Sequence, residues 1–398
     1  MIGQADIGFT WNSLTNIVAA PFVLQQGIPQ KLAPGPGGQV QQKIPQTYVT
    51  LATGNEERLE NGGGTLPYVT IWDEAGNRIG KYLPSDEKFK VEQNSQRTMI
   101  INHNDNNRRE ADTGYIMLSQ GKDAICITML QVSNGQFTAA FYGDTGANCG
   151  MSWYHSRRKF GAEILSSKCV WIDEDHSNGI NARAMSFHLK DFLPSNDKMR
   201  LYEKDNNKYI CRSTPRFAFW KNLEPGSDIP IFNPPLQYNE DSKAIGYEGA
   251  DKDPDRALDK DGEYDRNVAT YTRPKWTREA TEAFQGRTYR RNNNRPDVAR
   301  LSKRQNSNIN PDHIVVTEID GQTAREICEH PSSLGYDIAS YVDMKYCDLS
   351  ERKLYDFCNA TITHNCWDAN STTLVGAINA RGEESGPRKS YKTKSHWK

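Results

Sequence analysis

The turn Asp173-Glu174-Asp175-His176 directly follows an apolar run from Cys169 to Ile172. At the end of a strand, Asp173, Asp175 and His176 have the residue types to ligate a metal ion, and Asp175 with His176 those for acid and base roles. Turns are also acidic for solubility alone, and a third catalytic group cannot be located from spacing. Further on, Asp259 and Asp261 stand just before Gly262, as at the start of a calcium loop. The twelve-residue EF-hand register fails, because its sixth position needs glycine and holds Arg256 counted from Asp251, or Lys260 counted from Asp255. Calcium is thus the one cofactor the sequence raises, against the plainer reading of an acidic surface. A third group is Trp153-Tyr154-His155, close after Cys149 and near Gly143, Gly146 and Gly150. Trp153 and Tyr154 could stack on a sugar ring. The competing reading is that they fill a core beside a disulfide.

Other chemistries lack a signature. There is no G-x-S-x-G elbow, no H-E-x-x-H, no G-x-G-x-x-G fingerprint and no P-loop. Paired carboxylates of a glycosidase can meet across a sheet without any sequence signal, so a metal- or carboxylate-dependent polysaccharide hydrolase stays open as the alternative function. Arg287, Arg290, Arg291 and Arg295, with Tyr289 among them, would bind phosphate without sequence preference. No nucleic-acid-binding module surrounds them, so nucleic acid is disfavoured as a partner. Lys303-Arg304 and Arg290-Arg291 also read as dibasic processing sites.

The cysteines point to the compartment. Cys126, Cys149, Cys169 and Cys211 form one even group, and Cys328, Cys347, Cys358 and Cys366 a second, with no C-x-x-C pair in either. Zinc ribbons and thioredoxin-like sites are therefore disfavoured, and structural disulfides in an oxidising, extracellular compartment are expected. In the first group the expected pairing is sequential, Cys126 with Cys149 and Cys169 with Cys211. Two sequons, Asn359-Ala360-Thr361 and Asn370-Ser371-Thr372, agree with a secreted glycoprotein. The N-terminus makes a poor signal peptide as written, and no stretch is apolar enough to span a bilayer.

These groups need elements to position them. The 398 residues carry a net charge of −1 and only 36% hydrophobic residues, which argues against a helix bundle or a single core through the whole chain. Residues 1–46 read as an extended Gln-, Gly- and Pro-rich arm. Residues 47–220 alternate short apolar bursts with turns: Tyr48 to Ala52, Tyr68 to Trp72, Tyr115 to Leu118, Ile125 to Val132, then Asn134-Gly135 and Phe137 to Tyr142. That pattern predicts a mainly β fold, a β-sandwich or jelly-roll-like domain. Residues 221–306 read as a charged linker. Ten acids against four bases give 240–265 a charge of −6, and ten bases against three acids give 273–304 a charge of +7. The two blocks could attract each other within or between chains, or simply keep a linker solvated. Residues 307–375 read as a small disulfide-stapled α/β module. Its elements are a strand at Ile314 to Thr317, a helical turn or two at Thr323 to Glu329, and a pair across Ser350-Glu351-Arg352. Residues 376–398 read as a basic, unstructured tail.

Two stretches carry a resemblance. One is Lys122 to Ile127, then Gly143-Asp144 and Cys149-Gly150 before Trp153-Tyr154. The other is Cys328-Glu329-His330-Pro331-Ser332-Ser333-Leu334-Gly335, with Cys347-Asp348 and Leu354 to Cys358. They resemble secreted fungal proteins with an N-terminal β domain and a C-terminal cysteine-rich module. The resemblance implies an extracellular location and supplies no catalytic residue. The expected function is that of a secreted structural or interaction protein, self-assembling as a homo-oligomer or binding carbohydrate as a cell-wall or surface glycan.

Overall fold

A computed structural model describes residues 45–54, 62–84, 89–107, 112–134, 136–160, 165–193, 210–211, 214–232, 308–376 and 389–398. The arm up to residue 44, both charge blocks, Asp259 and Asp261 lie outside the described residues.

The fold is mainly β, built from several sheets, with a disulfide-containing α/β region at its C-terminal end. Alternating apolar residues, rich in Val, Ile and aromatics, favour pleated strands with one buried face. In the N-terminal part they form two large open antiparallel sheets, beside two short two-stranded ones. In the first, Gln46–Thr53 lies between Gln96–Asn102 and Ile125–Ser133. Ile125–Ser133 pairs in turn with Thr138–Tyr142 and with Cys169–Ile172, and Trp153–Tyr154 closes that edge. In the second, Tyr115–Ser119 lies between Tyr68–Trp72 and Ala184–His188, with Arg78–Tyr82 and Phe217–Trp220 at the edges. Val49 and Leu51 from one sheet and Val69, Ile71, Ile116 and Leu118 from the other are fully buried in one hydrophobic core. The Asn134 carboxamide accepts the backbone N–H groups of Gln136 and Phe137 where the chain reverses between its two strands.

The C-terminal region holds a mixed five-stranded sheet. Its strand His313–Thr317 is parallel to Asp337–Ser340 on one side and to Thr393–Trp397, at the sheet's edge, on the other. Lys345–Asp348 and Lys353–Asp356 extend the sheet antiparallel. Burial on both faces explains the continuous apolar run Ile314 to Val316. Val315 joins the core of the N-terminal sheets, whereas Ile314 and Val316 pack with Tyr346, Trp367 and Leu374 on the opposite face. The helix Ala324–Glu329 is capped by the Thr323 hydroxyl, which accepts the Glu326 N–H at 3.2 Å, and by the Asp343 carboxylate at the Arg325 N–H.

Two expectations need correction. The end of the chain is not an unstructured tail, because Thr393–Trp397 is a strand of this sheet and Trp397 is fully buried. Its mixed pattern hid it, since only Ser395 and Trp397 point inward. The first disulfide group is interleaved, not sequential: Cys126 bonds Cys169 and Cys149 bonds Cys211. Strand pairing decides this. Ile125–Ser133 lies beside Cys169–Ile172, which brings the first two Cα atoms to 5.5 Å, while Cys149, just after the short helix Gly143–Asn148, lies with its Cα 5.0 Å from that of Cys211. The second group pairs Cys328 with Cys347 and Cys358 with Cys366. Among the described residues no helix is long and apolar enough to cross a membrane.

Candidate functional site

The sequence-expected groups come first, because the structure places most of them inside. Trp153 is fully buried and Tyr154 nearly so. They sit in the seam between the N-terminal sheets and the C-terminal region, so neither is a platform for a sugar. One edge of Trp153–Tyr154 pairs with Cys169–Ile172, and Trp153 meets Ser333 of the C-terminal region across its backbone. The Trp153 indole N–H donates to His330 Nδ1 at 2.9 Å, and the Tyr154 hydroxyl donates to the Tyr336 carbonyl at 2.9 Å. Gly335 makes this fit possible. A Cβ there would stand 2.2 Å from Tyr154 Cδ2, well inside contact distance.

Charges line the same seam. Lys168 Nζ meets Glu326 Oε1 at 2.5 Å and lies 4.7 Å from the centre of the Trp153 ring. His155 Nε2 is 3.9 Å from Glu326 Oε2. Burial drives the His155 and His330 imidazoles down to about 4 each, so both are neutral at pH 7. Burial raises the Asp144 carboxyl, although Lys168 and the Ser167 hydroxyl oppose it. This is a desolvated set of groups that bridges the two regions, with Lys168 and Glu326 paired across it.

A second such set holds His188. Its Nδ1 meets Asp191 Oδ2 at 2.8 Å and its Nε2 meets Glu74 Oε2 at 2.9 Å, with the Tyr115 ring 4.6 Å away. Burial alone would push His188 down, but the two carboxylates outweigh it and the imidazole is held above its ordinary value. His188 and Asp191 are inaccessible to solvent.

The Asp173–His176 turn does not converge on a metal. Asp173 Oδ2 accepts the Ser177 N–H and hydroxyl, and Asp175 Oδ1 accepts the same N–H. His176 turns away, with Nδ1 at the Ile180 carbonyl and Nε2 at the Asn222 carboxamide. Among the described residues no group of three or more His, Cys, Asp or Glu side chains is placed to hold a metal ion. Asn359 and Asn370 are both exposed. The Asn359 carboxamide accepts the Thr361 hydroxyl at 2.8 Å.

The solvent-open site is elsewhere. A hollow of about 530 Å³ is lined by Asn94, Arg157, Arg158, Lys159 and Lys398. Arg157, Arg158 and Lys159 leave the buried edge strand Trp153–Tyr154 and run to the surface, while the C-terminal strand brings Lys398 alongside. Arg158 donates to the Gln96 carboxamide at 3.0 Å, and its guanidinium lies 5.6 Å from the centre of the Phe160 ring. Lys398 Nζ is 3.7 Å from Glu318, the nearest acid, which His396 also meets at 2.8 Å. Four cations around one concavity favour an anion. The three consecutive bases 157–159 are plain in the sequence. Lys398 is not, because its place depends on the parallel pairing of the last strand.

No family model matches the chain, and no curated protein does. A solved structure titled "Crystal structure of Delta413-417:GS LOX" is similar over 24% of this chain and 14% of that one, at 20% identity and a TM-score of 0.19, too slight a likeness to carry an argument. The resemblance to secreted fungal proteins gains no support from these comparisons.

Proposed function

We propose that the protein is an extracellular interaction protein, a disulfide-crosslinked, sandwich-like β body that binds an anionic surface glycan. The basic hollow of Arg157, Arg158, Lys159 and Lys398 carries this reading. Guanidinium groups hold sulfate and carboxylate through paired hydrogen bonds, and a hollow open to solvent accommodates a polymer that continues past it. Four disulfides and two exposed sequons suit an oxidising compartment. The hydrolase alternative draws less support. The acids brought together inside the molecule, Glu74 with Asp191 and Asp337 with Asp348, each bracket a basic side chain of the fold, His188 and Lys389.

The test is a binding titration of the full chain with a sulfated polysaccharide and, in parallel, a neutral glucan. Arg158→Glu combined with Lys159→Glu is expected to weaken binding of the sulfated polymer by about tenfold or more, corresponding to about 1.4 kcal/mol per tenfold. Added salt should weaken it as well. Equal affinity of the parent and the double variant, or equal binding of the neutral glucan, overturns the reading.

A further inference from the structure

The strongest unexplained chemistry lies on the far face of the C-terminal sheet. Asp337, at the start of its strand, has a fully buried side chain. Lys389 Nζ contacts Asp337 Oδ2 and lies 2.9 Å from Asp348 Oδ1. The Tyr391 hydroxyl donates to the same Oδ2, and the Tyr346 hydroxyl touches that of Tyr391. The other oxygen, Asp337 Oδ1, accepts the Asn308 amide at 2.7 Å and the Leu349 backbone N–H at 2.8 Å. Trp367, itself buried, stacks on Tyr346 with ring centres 4.5 Å apart and covers the group. A lysine amine, a buried carboxyl, two donors on one carboxyl oxygen and two acidic hydrogen-bonding groups near the other are the parts of an amide-forming site.

We propose that Lys389 and Asp337 condense to an intramolecular amide, a covalent crosslink between the C-terminal segment and the sheet. The Lys389 ammonium passes a proton to Asp348, which frees the Nζ lone pair to attack Asp337 Cγ. The charge that develops on Oδ1 is met by the Asn308 amide and the Leu349 N–H, already aimed at it. Oδ2 departs as water: Asp348 returns to it the proton first taken from Lys389, and Tyr391 relays the second, giving its own proton to Oδ2 and regaining one from the Lys389 nitrogen. One C–N bond forms and one C–O bond breaks. The ammonium gives up two protons, both of which end on the departing oxygen, so no oxidant or co-reactant is required.

Two physical effects favour the reaction here. Contact between amine and carboxyl replaces an encounter in solution, an advantage of up to about 10⁵ M or more in effective concentration. The product is a neutral amide, which removes the desolvation cost of a buried ion pair. Burial raises the Asp337 carboxyl towards its protonated, electrophilic form. Lys389 is held above its ordinary value by Asp337 and Asp348 against the effect of burial, which is why the neighbouring carboxylate is needed as proton acceptor.

The experiment is the intact mass of the full, unreduced chain, followed by peptide mapping. The parent is expected to be lighter by one water than its sequence with four disulfides. It should also yield one joined peptide pair, containing Asp337 and Lys389, that survives reduction. Lys389→Arg should recover that water. Asp348→Asn should do so too, or form the bond several-fold more slowly. A folded parent chain with its full mass and no joined peptide means an ion pair only and overturns the proposal, whatever the variants do.

Discussion

The two regions of this molecule solve the same problem differently. The N-terminal sheets bury large apolar side chains against each other, and their disulfides span long stretches, 43 and 62 residues apart. The C-terminal region has a five-stranded sheet beside a small three-stranded one, short crosslinks of 19 and 8 residues, and polar groups packed onto the larger sheet's second face. A small region with a thin core needs either staples or a neighbour. This one has both, since Val315, Ile319, Ile327, Ile338 and Trp397 share the core of the N-terminal sheets. The seam is therefore part of the C-terminal region's folding, not a contact between finished domains.

Breaking the seam should show the largest effect. Trp153→Ala removes a fully buried indole with its bond to His330, and is expected to cost about 3–5 kcal/mol. Gly335→Ala forces a Cβ into the Tyr154 ring and should cost about 1–3 kcal/mol through overpacking. Chemical denaturation followed by tryptophan fluorescence measures both. If the two regions were independent, Gly335→Ala would leave the N-terminal transition untouched, and a single shared transition would be absent.

Much of the architecture was legible before the structure. Strands at Tyr48, Tyr68, Tyr115, Ile125 and Ile314 announce themselves because apolar β-formers sit between turn residues. The interleaved cysteine pairing was not legible, because it depends on which strands lie side by side. Trp153 and Tyr154 were visible as important, with stacking on a sugar and filling a core beside a disulfide both open, and the structure takes the second. An aromatic pair near a cysteine looks the same whether it faces water or a second region more than 150 residues away in sequence. Lys398 in the hollow and Lys389 beside Asp337 were hidden for a related reason: a short, polar strand joins a sheet only when a partner edge is available, here His313–Thr317 for Thr393–Trp397 and Thr373–Leu374 for Lys389–Ser390.

The disulfides sharpen the contrast through loop length. Loop-closure entropy predicts that replacing Cys149 and Cys211 with serine costs about 4 kcal/mol, against about 2–3 kcal/mol for Cys358 and Cys366 with their much shorter loop. Thermal unfolding of the two double variants checks the order. A reversed order would mean that the C-terminal region depends on its short staple more than on the shared core.

Acid separates the regions by the sign of their response to pH. At the seam, His155 and His330 sit at about 4 in the folded chain, below the ordinary imidazole value of about 6.5 that each regains on unfolding. The unfolded chain then binds more protons, so their contribution to stability is intact above about pH 6.5 and falls as the pH drops towards 4. Glu326, held below its ordinary value despite burial, adds to the loss at still lower pH. His188 in the N-terminal sheets is raised, so its contribution is present below its unfolded value and is lost as the pH rises through its folded one. Denaturation midpoints measured from about pH 7 down to about pH 4.5 should therefore fall, and the fall should flatten in a His155→Gln, His330→Gln double variant. A slope unchanged in that variant would assign the acid sensitivity to groups away from the seam. A slope that flattens identifies the seam as the place where acid first separates the two regions.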